Sequence, residues 1–302
     1  MHDNHLVQHE WLFFMLLSSH DFKSVEDCYL IRNNWGGLTS EFWGNRPLIG
    51  MVHLKALPGS VLDLGYGLDD TVNFALEDVR ALESGGAAAV MIENFFDIPF
   101  ASGTVARHTI IAMSLAVAEI RKVTLLPIGV NVLRNDAIGA LSIAHICKAQ
   151  FVRVNVFVGA AVTDQGIIQG AAREIVTLRK ELNADVAIWA DVFVKHATQL
   201  GGGKIEDAAR DAVHRGLADA LIVSGSATGS DTSLADLEAV RNALPDTHIL
   251  VGSGFNISTA ADLLQFANGA IVGTSIKKGG AVENCVDVER VRVLRLAMNA
   301  IK

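Results

Sequence analysis

From Arg46 to the C-terminus, eight short apolar runs rich in β-branched residues alternate with eight amphipathic stretches. The runs fall at 48–54, 88–94, 128–133, 151–157, 186–192, 220–224, 248–252 and 270–274. The amphipathic stretches fall at 70–84, 104–122, 136–149, 170–182, 205–215, 233–243, 258–267 and 287–300. Strict strand–helix alternation makes neighbouring strands parallel, because each helix returns the chain to the same end of the sheet. Eight such units favour a closed barrel over an open doubly wound sheet. The predicted fold is therefore α/β, a single (β/α)8 TIM barrel over residues 45–302. A barrel of this kind needs about 250 residues. The chain has 302, so an N-terminal extension is left over.

Residues 1–44 stand outside the rhythm. They carry His2, His5, His9 and His20 and show no helical or strand period. A poorly ordered extension is expected there, with a metal-binding histidine tract as the alternative. The apolar run 11–17 is too short to span a bilayer, which takes about 18 to 20 residues. It has no basic residue before it and no small-residue cleavage site, so no secretory signal is read. The three cysteines lie far apart without a CxxC pair, as expected of reduced thiols in the cytoplasm. A net charge of −8 argues against a nucleic-acid-binding surface, which is normally basic.

Side chains on a barrel strand point alternately outward to the helices and inward to the lumen. Since the outward face must be apolar, a polar residue near a strand's C-terminal end is predicted to face inward. That parity selects His53, Glu93, Asn131, Arg153 with Asn155, Asp191 and Ser224 on six successive strands. Barrel enzymes keep their chemistry at this end. For any single residue the competing reading is a self-neutralising buried network, for example Arg153 with Glu93 or Asp191.

The last two strands end differently. They run into Gly252-Ser253-Gly254 and Gly273-Thr274-Ser275. These offer small residues whose backbone N–H groups can approach a ligand, and hydroxyls that can donate to it. Loops after strands seven and eight commonly hold phosphate in such barrels. The sixth loop, Ser224-Gly225-Ser226, is positioned to close over the same anion. Neither a Walker A pattern nor a full dinucleotide fingerprint is present, so no nucleotide cofactor is predicted.

Several segments resemble the BtpA/SgcQ family. They are RPLIGMVHLKALPGS (46–60), IENF (92–95), GVNVLRND (129–136), RVN (153–155), TDQG (163–166), ADV with VKH (190–192, 194–196), GLADALIVSGS (216–226), LVGSG (250–254) and VGTSIK (272–277). The resemblance covers roughly residue 42 to the C-terminus. It implies a ribulose-phosphate-binding-type barrel. One branch of that family is tied to photosystem I assembly or stability; another sits among sugar-uptake and sugar-metabolism proteins. The resemblance implies no established reaction.

Two functions of different class follow. The first is an enzyme acting on a phosphorylated small molecule, a sugar phosphate or nucleotide fragment. Glu93 and Asp191 are its expected acid/base pair. His53 is a proton shuttle, with Asn131, Arg153 and Asn155 orienting substrate or stabilising negative charge. A divalent metal on Glu93, Asp191 and a histidine is conceivable but unsupported by spacing. Lys195 is read as a solvated loop lysine, with a Schiff-base nucleophile as the alternative. The second function is a non-catalytic photosystem I assembly factor. Association with further copies of the chain is left open.

Overall fold

The computed structural model describes residues 35–225 and 232–301. Most of the extension, with its four histidines, lies outside the described residues, as do Ser226 and Lys302. Eight parallel strands close into a barrel. They are β1 (Leu48–His53), β2 (Ala89–Glu93), β3 (Ile128–Asn131), β4 (Phe151–Val154), β5 (Ala187–Val192), β6 (Ala220–Val223), β7 (His248–Val251) and β8 (Gly269–Val272). β8 pairs with β1, so no strand edge remains open. Each strand is followed by a helix. These are α1 (Gly67–Gly85), α2 (Arg107–Val123), α3 (Ala137–Ile146), α4 (Ala172–Glu181), α5 (Ile205–Arg210), α6 (Leu234–Ala243), α7 (Ala260–Leu263) and α8 (Val288–Ala300). The α5 helix continues as a π turn, Asp211–Arg215. Among the described residues no helix is long and apolar enough to cross a membrane.

The alternation along the strands separates two cores. Val52, Val90, Val130, Val152, Ile188 and Leu221 face the helices and pack with Val79, Leu82, Met113 and Ile120. Ile49, Met91, Phe151, Trp189, Ile222 and Ile271 fill the lumen. Phe151 and Trp189 stack there with centroids 3.7 Å apart. Gly129 makes that possible: a Cβ at this position would lie 2.0 Å from the Phe151 ring.

The base is closed by residues that the sequence reading assigns to the extension. A short helix, Ser40–Gly44, brings Trp43 and Leu38 into the lumen core. Trp43 stacks flat on His248, 4.1 Å between centroids, and meets Trp189 at 5.5 Å. Gly36 N–H donates to Asp185 at 2.7 Å. The boundary at residue 44 thus falls too late; residues 35–44 belong to the barrel's base. One turn of helix is too short for a hydrophobic period to show in sequence.

The mouth carries a further element that strand patterning missed. The segments after β4 and β5 form a three-stranded antiparallel sheet from Ala160–Thr163, Gly166–Gln169 and Ala197–Gln199. Its inner side buries Ala161 and Ile168 with Val156 and Val194.

Candidate active site at the barrel mouth

Inward parity brings the six polar strand ends to one end of the lumen, but at two depths. The deeper layer is a closed network. Arg153 donates to both Asp191 oxygens at 2.9 Å, and Asn155 Nδ2 donates to Asp191 at 2.7 Å. Asn131 Nδ2 donates to Asn155 Oδ1 and to the Arg153 carbonyl. Ser224 Oγ reaches Asp191 at 3.5 Å. The Arg153 guanidinium and the Asn155 amide thus engage both Asp191 oxygens. The sequence makes Asp191 one of an acid/base pair; the structure sets it inside this network, outside the lining of the mouth cavity. Asp191 anchors Arg153 and Asn155, and neither it nor Asn131 lines either of the two cavities at the mouth.

The upper layer is open. A cavity of about 160 Å³ is lined on one side by His53, Glu93, Phe95, Arg153 and Lys195. Its other side is the pair of loops Gly252–Asn256 and Gly273–Ser275. Glu93 is buried, and the His53 imidazole stands 3.9 Å from its carboxyl. Burial raises the Glu93 pKa above its usual value, against the opposing pull of Arg153 and Lys195. Burial, with the Lys277 and Lys195 cations nearby, holds His53 well below its usual value. The imidazole is thus neutral near pH 7, stacked on Phe95 at 4.4 Å.

Lys195 is not the solvated lysine expected from sequence. It is half-buried and lines this cavity. Burial, and then Arg153, lowers its pKa. Phe193, two residues before it, and His196, the residue after it, hold φ values of 53° and 55°. Left-handed backbone at non-glycine residues is uncommon and is held only by its surroundings. Arg134 provides part of that hold, donating to the Lys195 carbonyl. Lys195 lies three residues past the end of β5, where strand parity no longer applies.

The two loops form a cradle of small residues along one wall of the cavity. Gly254 sits at φ 67°. Among the described residues, no protein acceptor engages the N–H groups of Gly254, Phe255, Thr274 or Ser275. Ser275 Oγ instead braces the cradle by donating to the Phe255 carbonyl at 2.8 Å. Ser253 Oγ accepts from Gly225 N–H at 2.7 Å. The sixth loop's described part therefore braces the seventh, and Ser224 and Gly225 do not line the cavity. Ser226 lies outside the described residues.

A second chamber of about 390 Å³ adjoins the first and shares Glu93, Phe95, Arg153 and Lys195 with it. Arg134, Asn155, Asp164 and His196 complete its polar lining. Among the described residues no group of three or more His, Cys, Asp or Glu side chains is arranged to hold a metal.

The closed eight-strand lumen, with a helix after each strand, defines a (β/α)8 TIM barrel. Two solved barrels from Pyrococcus furiosus share this fold. Thiamine phosphate pyrophosphorylase aligns at a TM-score of 0.52 and 14% identity, over 86% of this chain and 98% of that one. N-(5'-phosphoribosyl)anthranilate isomerase aligns at 0.51 and 12% identity, over 84% and 98%. The model of the BtpA family matches residues 44–300, and the chain belongs to that family. It is 48% identical to an uncharacterized protein of Thermococcus kodakarensis, over 82% of this chain and 94% of that one. It is 43% identical to the photosystem I biogenesis protein BtpA of Synechocystis, over 86% and 91%. It is 32% identical to the putative sgc region protein SgcQ of Escherichia coli, over 82% and 91%.

Proposed function

We propose that the barrel binds a phosphorylated small molecule, a sugar phosphate or nucleotide fragment, and acts on it by acid–base chemistry. The observation that carries this reading is the division of the mouth cavity. One wall bears amides and hydroxyls that can hold an anion without reacting, and the other bears Glu93, a buried acid with no lysine or arginine in contact among the described residues. Its raised pKa brings proton exchange closer to neutral pH. Neutral His53 beside it can relay the proton. Arg153, fixed by Asp191, and Lys195 supply positive charge where an oxyanion develops. Phosphate held at the cradle positions the reactive end against Glu93.

A thermal-shift screen of sugar phosphates and nucleotides tests the binding step, since a ligand of the folded state raises apparent stability. A hit is expected to vanish in Gly273→Asp, which puts a carboxylate into the cradle. Glu93→Gln is expected to keep binding and lose turnover. If no phosphorylated compound stabilises the folded protein, the proposal fails.

The name and 43% identity of the Synechocystis relative favour a second reading, a factor for photosystem I assembly. Such a factor works through a partner surface, so Glu93→Gln would restore photosystem I in a deletion strain as well as the wild type does.

A further inference from the structure

Four cations are buried among the described residues: Arg134, Arg153, Arg179 and Lys277. Three of them have a carboxylate in contact. Arg153 is bidentate on Asp191, and Arg179 and Lys277 pair with Asp219 and Asp78 at 2.5 Å. Arg134 breaks the pattern. It is only 5% exposed, and its one side-chain hydrogen bond among the described residues goes to the Lys195 carbonyl. Its Nε is buried without a partner. A guanidinium does not shed its charge in proteins, and a buried charge without a counter-ion is costly.

Arg134 lines the second chamber, whose apolar wall is Phe95, Ile98, Phe100 and Leu133. That chamber opens to the anion cradle past Glu93, Phe95, Arg153 and Lys195. Two carboxylates also border it, and no ion pair joins either to Arg134 among the described residues: Glu93 stands on the shared wall, and Asp164 sits on an exposed hairpin and is bonded to Gln165. Water screens it, whereas Arg134 lies in the protein. We propose that the ligand is bipartite: a phosphoryl group in the cradle and a second anionic oxygen group, carboxylate or phosphoryl, on Arg134. Its carbon skeleton crosses between Phe95 and Lys195, which places the bond to be changed beside Glu93. This assignment rests on the phosphate reading of the cradle and narrows it to phosphorylated acids and bisphosphates.

The test is calorimetric titration of the full chain with two matched pairs of probes. Glucose 6-phosphate is compared with 6-phosphogluconate, and fructose 6-phosphate with fructose 1,6-bisphosphate. In at least one pair the member with two anionic groups is expected to bind about ten-fold tighter or more, the effect of one charge-assisted contact. Which pair shows it tells carboxylate from phosphoryl. In Arg134→Met that advantage disappears, so the two members of that pair bind alike. Equal affinities within both pairs, or an advantage that survives in Arg134→Met, would overturn the proposal and leave the cradle reading intact. If none of the four probes binds the folded protein, the cradle reading fails and this proposal with it.

Discussion

At the base of the barrel, Trp43 lies flat on His248 and against Trp189, and the lumen above it is filled by Phe151 and aliphatic side chains. At the mouth, the same inward positions of the same strands carry Glu93, Arg153, Asn155 and Asp191. The barrel is thus stabilised at one end and burdened at the other. Apolar contact at the base gains from every buried ring. Buried charge at the mouth costs free energy that only a paired network, as at Asp191, or a ligand can offset. Evolved sites tolerate such local cost where it has a use.

Each end makes its own prediction, and the largest effect belongs to the base. Trp43→Ala is expected to lose about 3–5 kcal/mol of stability, read by denaturant unfolding, and to leave ligand affinity unchanged. If binding falls with it, the two ends are coupled and the contrast is wrong. Asp191→Asn comes next, at on the order of 2–3 kcal/mol, because it leaves Arg153 buried on a neutral partner. It is expected to loosen both stability and binding, unlike any base variant.

Glu93→Gln runs in the opposite direction. Burial raises the folded pKa of Glu93 above its unfolded value. The protonated form therefore contributes stability below the unfolded pKa, and that contribution is lost as pH rises through the folded one. Replacing the acid by its amide is expected to raise the melting temperature at neutral pH, with the gain shrinking on acidification. A lower melting temperature at pH 7 would mean that Glu93 is a structural ion pair. The smallest effect is at His248, whose pKa burial lowers to about 4. The unfolded chain takes up this proton first, so stability present above pH 6.5 drains away as pH falls toward about 4. His248→Phe keeps the stack on Trp43 and is expected to flatten that part of the acid profile.

The barrel was legible because its strands alternate strictly. In Val152-Arg153-Val154-Asn155 the valines face the helices, and the polar pair has nowhere to go but inward. Parity places a side chain on a face, however, and says nothing about depth or partners. It could not distinguish Glu93, with no lysine or arginine in contact among the described residues, from Asp191, which Arg153 neutralises. Lys195 and Arg134 follow the ends of their strands, where alternation stops and loop geometry sets direction. The hairpin Ala160–Gln169 was missed because its strands are four residues each, and its turn, Asp164-Gln165, lacks the usual glycine pairing. Trp43 was missed because the ten residues around it have no period.

The central claim is that the loops after β7 and β8 hold phosphate while the acid stands opposite. Amide chemical shifts of the labelled protein titrated with ribose 5-phosphate test it most directly. The account predicts that the largest perturbations fall on Gly254, Phe255, Thr274 and Ser275, saturate at one equivalent, and are absent in Gly273→Asp. Perturbations confined to surface lysines and arginines, or a cradle whose amides do not move at saturation, would contradict it.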